Sequence, residues 1–162
     1  MEMELGSALV GAIAIIICIL PFAIMSRSKK QKRQILLDTI NDLANQNQCI
    51  IHKSDVYPYF AIGIDEDQGR LFYFKKNTDK ELVKTILLSE IRTCKVVKSN
   101  TSINRNGDRV NIIEKQCLTF HSKDPGKPDI SLEFFNADDS VQPCGEIQAS
   151  EEWMKLINRH IS

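Results

Sequence analysis

The chain has 162 residues, 21 Lys and Arg against 21 Asp and Glu, and a hydrophobic share of 43%. Zero net charge excludes a nucleic-acid binder that works through bulk positive charge, and the length excludes several domains of ordinary size. The balance is unevenly placed, with −2 over residues 1–4, +5 over residues 26–33 and −3 from residue 34 onward.

Leu5 to Met25 carries no Asp, Glu, Lys, Arg or His, and eleven of these 21 residues are Leu, Ile, Val or Phe. A helix of this length spans about 31 Å, close to the roughly 30 Å of a hydrocarbon core. The pattern predicts a transmembrane helix over residues 5–25 that contacts the lipid bilayer. Met1-Glu2-Met3-Glu4 lacks the basic start of a cleaved signal peptide, so a retained signal anchor is expected. Arg27, Lys29, Lys30, Lys32 and Arg33 follow at once. The positive-inside rule then predicts a single-pass membrane protein with residues 1–4 outside and the C-terminal domain cytoplasmic. The same five cations are candidate membrane-surface contacts, each contributing about 1 kcal/mol beside anionic headgroups.

Residues 26–48 read as a basic juxtamembrane segment running into an amphipathic helix. Leu36, Ile40, Leu43 and Ala44 share one face, and Asn45-Gln46-Asn47-Gln48 marks the end. From Cys49 the period shortens to that of strands. Tyr59–Ile64 and Leu71–Phe74 read as a hairpin around Asp65-Glu66-Asp67-Gln68-Gly69. Thr85–Leu88, Ile91–Val97, Val110–Phe120 and Ile130–Phe135 follow, and Cys49–His52 adds a seventh run. Lys98–Arg109 reads as a polar loop with its turn at Asn106-Gly107. Ser150 suits the N-cap of a closing helix, with Glu151 and Glu152 in its first turn and Arg159 and His160 in its last. Trp153, Leu156, Ile157 and Ile161 fall on one face of that helix and are its expected core contacts.

The expected fold class is α+β: a transmembrane helix, a juxtamembrane helix, then a curled antiparallel sheet of six or seven strands capped by a C-terminal helix. This order, with Ser150-Glu151-Glu152-Trp153-Met154-Lys155-Leu156-Ile157, resembles the pleckstrin-homology-like superfold over residues 49–162, where a bent sheet is capped by a helix with a buried Trp. Lipid-binding members hold phosphates with Lys and Arg around the first hairpin. The corresponding turn here carries Asp65, Glu66 and Asp67, which repel a phosphate, so the resemblance implies a protein partner.

Chemistry is sparse. The five cysteines include no Cys-x-x-Cys pair. Cys49-Ile50-Ile51-His52 has a chelating spacing, but Cys117, His121 and Cys144 form no recognisable second half of a zinc site. Asp65 and Asp67 lack the other ligands and the glycine of a calcium loop, while Asp138-Asp139 and Glu151-Glu152 read as a loop and a helix start. No nucleotide-binding, Gly-x-Ser-x-Gly or His-Glu-x-x-His motif occurs. The expectation is a protein with no catalytic residues, metal or cofactor and no small-molecule substrate or nucleic acid. It is a membrane-anchored, non-catalytic binding or scaffold module for a protein partner, with homo-oligomerisation open. An anionic-lipid surface sensor and a structural subunit of a membrane assembly are the alternatives.

Overall fold

The computed structural model describes residues 30–76, 81–105, 108–139 and 142–161. The first helix, α1, covers residues 30–46. Strands β1 (Lys53–Val56), β2 (Phe60–Asp65), β3 (Arg70–Lys76) and β4 (Glu81–Leu87) form an antiparallel sheet in that order. A 3₁₀ turn, Leu88–Glu90, leads to β5 (Ile91–Arg105), β6 (Asp108–Ser122) and β7 (Ile130–Asn136), a second antiparallel sheet. Helix α2 (Glu146–Ile161) closes the chain.

Every residue of β2 is buried because both faces of the first sheet are covered. Phe60, Ile62 and Ile64, with Leu71, Tyr73 and Ile86, turn inward and join Leu118, Phe120, Leu132 and Phe134 of the second sheet. Ala149, Trp153 and Ile157 of α2 complete this core. The alternate residues Ala61 and Phe74 face outward and meet Leu36 and Ile40 of α1, while Phe72 meets Ala44 and Cys49. Burying Leu36 and Ile40 contributes roughly 2 kcal/mol each, which seats α1 on the sheet.

Several expectations are corrected. The strands form two small sheets of four and three, not one curled sheet of six or seven. Leu88, the first residue of the 3₁₀ turn, and Ile91, just after it, are both buried and redirect the chain, so β5 leaves β4 and pairs with β6. Cys49–His52 is not a strand; the first strand is Lys53–Val56. The expected loop Lys98–Arg109 is mostly strand, because β5 and β6 continue as a ribbon beyond the stretch Lys115–Phe120 that pairs with β7. The turn dipeptide Asn106-Gly107 lies outside the described residues.

Helix α2 begins at Glu146, one turn before the expected cap. Gly145, at φ 100°, turns the chain, and the Ala149 N–H donates to its carbonyl at 3.0 Å. Ser150 sits inside the helix, donating to Ile147 O at 2.8 Å and accepting from Gln116 Nε2 at 2.5 Å. Trp153 and Ile157 are buried as expected, with Leu156 and Ile161 half-buried against the same core.

The membrane reading is corrected as well. Among the described residues no helix is long and apolar enough to cross a membrane. The physical reason is that both described helices are amphipathic. The α1 residues Leu36, Ile40 and Ala44 pack on a sheet while Lys30, Lys32, Arg33 and Asp38 stay exposed. The span predicted at 5–25 lies outside the described residues, as do Arg27 and Lys29. The transmembrane, single-pass, N-outside and cytoplasmic-domain assignments therefore have no support in the fold.

Candidate functional site

A cleft of about 330 Å³ is lined by Lys32, Arg33, Val56, Tyr57, Pro58 and Tyr59. One wall is the first turn described of α1. The other is the end of β1 and the link to β2. Proline at 58 fixes its own φ and keeps Tyr57 extended, so the link makes a tight corner. The Tyr57 N–H donates to Phe60 O at 2.8 Å and the Lys76 N–H to Tyr59 O at 2.8 Å, which fastens both ends of the corner to the sheet.

The tyrosine ring is held by the core. Tyr57 stacks on Phe60 with centroids 4.9 Å apart, and Phe60 meets Phe134 edge-on at 5.0 Å. Burial pushes the Tyr57 hydroxyl up to about 12, with Asp55, Glu146 and Glu152 adding to the rise and Arg33 opposing it. The phenol is therefore neutral at ordinary pH and available as a donor. Lys32 and Arg33 are exposed and make no ion pair with any described residue. The cleft thus joins two solvated cations to an apolar floor of Val56, Tyr57, Pro58 and Tyr59.

No family model, curated protein or solved structure matches this chain.

Of the five cations singled out in the sequence, Lys32 and Arg33 reach the cleft and Lys30 is exposed on the same helix. Tyr57, Pro58 and Tyr59 are not among the residues that the sequence marks as a site. The only signal for them was an aromatic-Pro-aromatic tripeptide, and nothing local to it indicates that basic residues some 25 positions earlier fold beside it. The acidic turn has a structural task that the sequence did not reveal. Asp65, 2% exposed, accepts the Ile50 N–H at 2.8 Å and the Gln68 N–H at 2.9 Å. Burial alone raises its carboxyl, but these two N–H groups, with help from Cys49, outweigh it and hold the pKa below its ordinary value. Cys49 is buried, and desolvation first and then Asp65 raise its thiol. His121 lies 2.7 Å from Asp129 through Nδ1, in a half-exposed pair away from Cys49 and His52.

Proposed function

We propose that the chain is a non-catalytic binding module that seats an acidic segment of a protein partner in the cleft between α1 and Tyr57-Pro58-Tyr59. One observation carries this reading: Lys32 and Arg33, in no ion pair with any described residue, stand beside half-buried tyrosine and exposed proline surface in the same opening. Tyr and Arg are the side chains on which interface energy concentrates, because they combine large apolar area with directed donors. A carboxylate on the partner gains charge-assisted bonds from Arg33 and Lys32, and its neighbouring apolar groups cover the tyrosines. The proposal includes kinship with the pleckstrin-homology-like superfold. It is supported by seven antiparallel strands among the described residues, followed by a helix that buries Trp153.

The test is fluorescence anisotropy of the full chain with a labelled peptide rich in Asp and Glu and containing one Tyr. The double reversal Lys32→Glu, Arg33→Glu is expected to weaken binding by about tenfold or more, and raised salt is expected to weaken the wild type. Equal affinity for a neutral peptide of the same length would refute the reading. So would binding confined to vesicles of anionic phospholipid, which would assign the cations to a lipid surface instead.

A further inference from the structure

Two sequence fragments with too few ligands on their own are brought together by the β1–β2 pair. The His52 N–H donates to Ile64 O at 2.9 Å, which sets the imidazole against the β2–β3 turn. One donor atom from each of His52, Asp65 and Asp67 then lies within 4.8 Å of the other two. His52 Nε2 is 3.3 Å from Asp67 Oδ2, and Nδ1 is 3.8 Å from Asp65 Oδ1. Two ligands each about 2.0–2.1 Å from one tetrahedral ion stand roughly 3.3 Å apart, so the first pair already has the spacing of a shared ion.

We infer that His52, Asp65 and Asp67 form a binding site for a divalent ion of the zinc class, one nitrogen and carboxylate oxygens from the protein with water in the remaining positions. The nitrogen and oxygen donor set suits a borderline transition ion better than calcium, which takes six to eight oxygens. Asp65 is held in place beforehand by the Ile50 and Gln68 N–H groups, and those bonds use two of the roughly four acceptor sites of its carboxylate. His52 and Asp67 are exposed, so the ion has a path from solvent.

The proton balance is simple. The Glu66 N–H donates to His52 Nδ1 at 3.3 Å, which puts the ring proton of the neutral imidazole on Nε2. An ion on Nε2 requires the other tautomer: the ring proton moves to Nδ1, breaks the Glu66 contact and is accepted by solvent in a hydrogen bond at the exposed ring, which leaves Asp65 to the ion. Cys49 stays outside the donor set, because its thiol is buried and donates to Gln68 Oε1 at 3.3 Å.

Without an ion, the same atoms form only a histidine-to-aspartate contact, and the experiment separates the two cases. Full chain stripped with a chelator is titrated with Zn²⁺ by calorimetry, and with Co²⁺ while its visible absorption is followed. One saturable site is expected. His52→Ala and Asp67→Asn, both surface changes, are each expected to weaken Zn²⁺ binding by about tenfold or more, in line with loss of a coordinating group. Asp138→Asn, on an exposed turn elsewhere, is expected to leave it unchanged. Failure of the wild type to take up Zn²⁺ overturns the inference, as does affinity that survives His52→Ala or that falls equally in Asp138→Asn. Asp65→Asn is not relied on, since losing its buried charge also disturbs the turn.

Discussion

Gly63 lies in the middle of β2, between Ser54 of β1 and Phe72 of β3, on the face that α1 covers. A methyl group there would come within 2.9 Å of Ile51 Cδ1 and 3.3 Å of Ile40 Cδ1. The missing side chain is therefore what lets Ile51 and, behind it, Ile40 of α1 approach the sheet, and β2 accepts the usual cost of a glycine inside a strand in return. Ile51 Cγ2 lies at 3.1 Å as well, but all three obstructing atoms are side-chain methyl groups and none is backbone, so the effect of substitution is graded. Gly63→Ala recovers about 0.4–1 kcal/mol through a less mobile unfolded chain and loses a similar or larger amount to crowding. A net loss near 1 kcal/mol is expected. Gly63→Val adds a branched group with no room to move and is expected to lose about 2–3 kcal/mol. Urea denaturation of the three proteins checks the order. A valine variant as stable as the wild type would mean that α1 is not seated on this strand.

Helix α2 does more at the scale of elements than cover a face. Its Trp153 Nε1 donates to Asp55 on β1 at 2.8 Å, which reaches one edge of the first sheet. Its Asn158 donates to Cys94 O at 2.8 Å and accepts the Cys94 N–H at 3.0 Å, which reaches the outer edge of the second. The asparagine amide thus replaces a neighbouring strand for one residue of β5, at a position where an open edge invites pairing with another chain. Asn158→Ala leaves both Cys94 backbone groups without that partner. A loss of about 1–3 kcal/mol is expected, with new concentration-dependent association in sedimentation measurements. A variant that stays as stable and as monodisperse as the wild type would show that the edge needs no protection. The apolar face of α2 was legible in the sequence because Trp153 and Ile157 repeat at helical spacing. Its start was not, because Ser150 has the chemistry of a cap and nothing local shows that Gln116, 34 residues earlier, takes its hydroxyl. The polar run from Ser99 to Asn104 was misread for a related reason: a ladder of backbone bonds pairs β5 with β6 whatever side chains they carry. The cleft was beyond reach, since Lys32 and Arg33 meet Tyr57 to Tyr59 only through the packing of α1 on the sheet.

The whole molecule depends on how its two sheets are held together, and a polar latch works beside the shared apolar core. Tyr73 of β3 donates to the Glu133 backbone carbonyl of β7 at 2.5 Å. Lys75 of β3 pairs with the Glu133 carboxylate and with Asp139 at 2.6 Å, and Lys115 of β6 pairs with the other Glu133 oxygen. Lys75, Glu133 and Asp139 are all mostly buried, so solvent weakens these contacts little. Burial pushes the Glu133 carboxyl up, but the hydrogen bonds from Lys115 and Lys75 and the charges of both outweigh it, and its pKa in the folded chain is lowered. A carboxyl held below its unfolded value adds stability that is fully present above that value, about 4.3 for Glu, and is lost as pH falls through the folded value. Asp65 acts in the same direction from its unfolded value near 3.9. Stability is therefore expected to be level from neutrality to about pH 5 and to fall steeply below pH 4. For Lys75, burial lowers the pKa and the bonds from Asp139 and Glu133 more than restore it. Its contribution is accordingly present below about 10.4 and is lost only as pH rises through the higher folded value. Glu133→Gln removes the shared carboxylate and leaves Lys75 with Asp139. It is expected to cost about 1.5–3 kcal/mol at pH 7 and to flatten the acid limb, because one of the linked protons no longer binds on unfolding. Denaturant midpoints measured from pH 3 to pH 8 for both proteins supply the comparison, and parallel acid limbs would mean that the latch carries no part of the pH dependence.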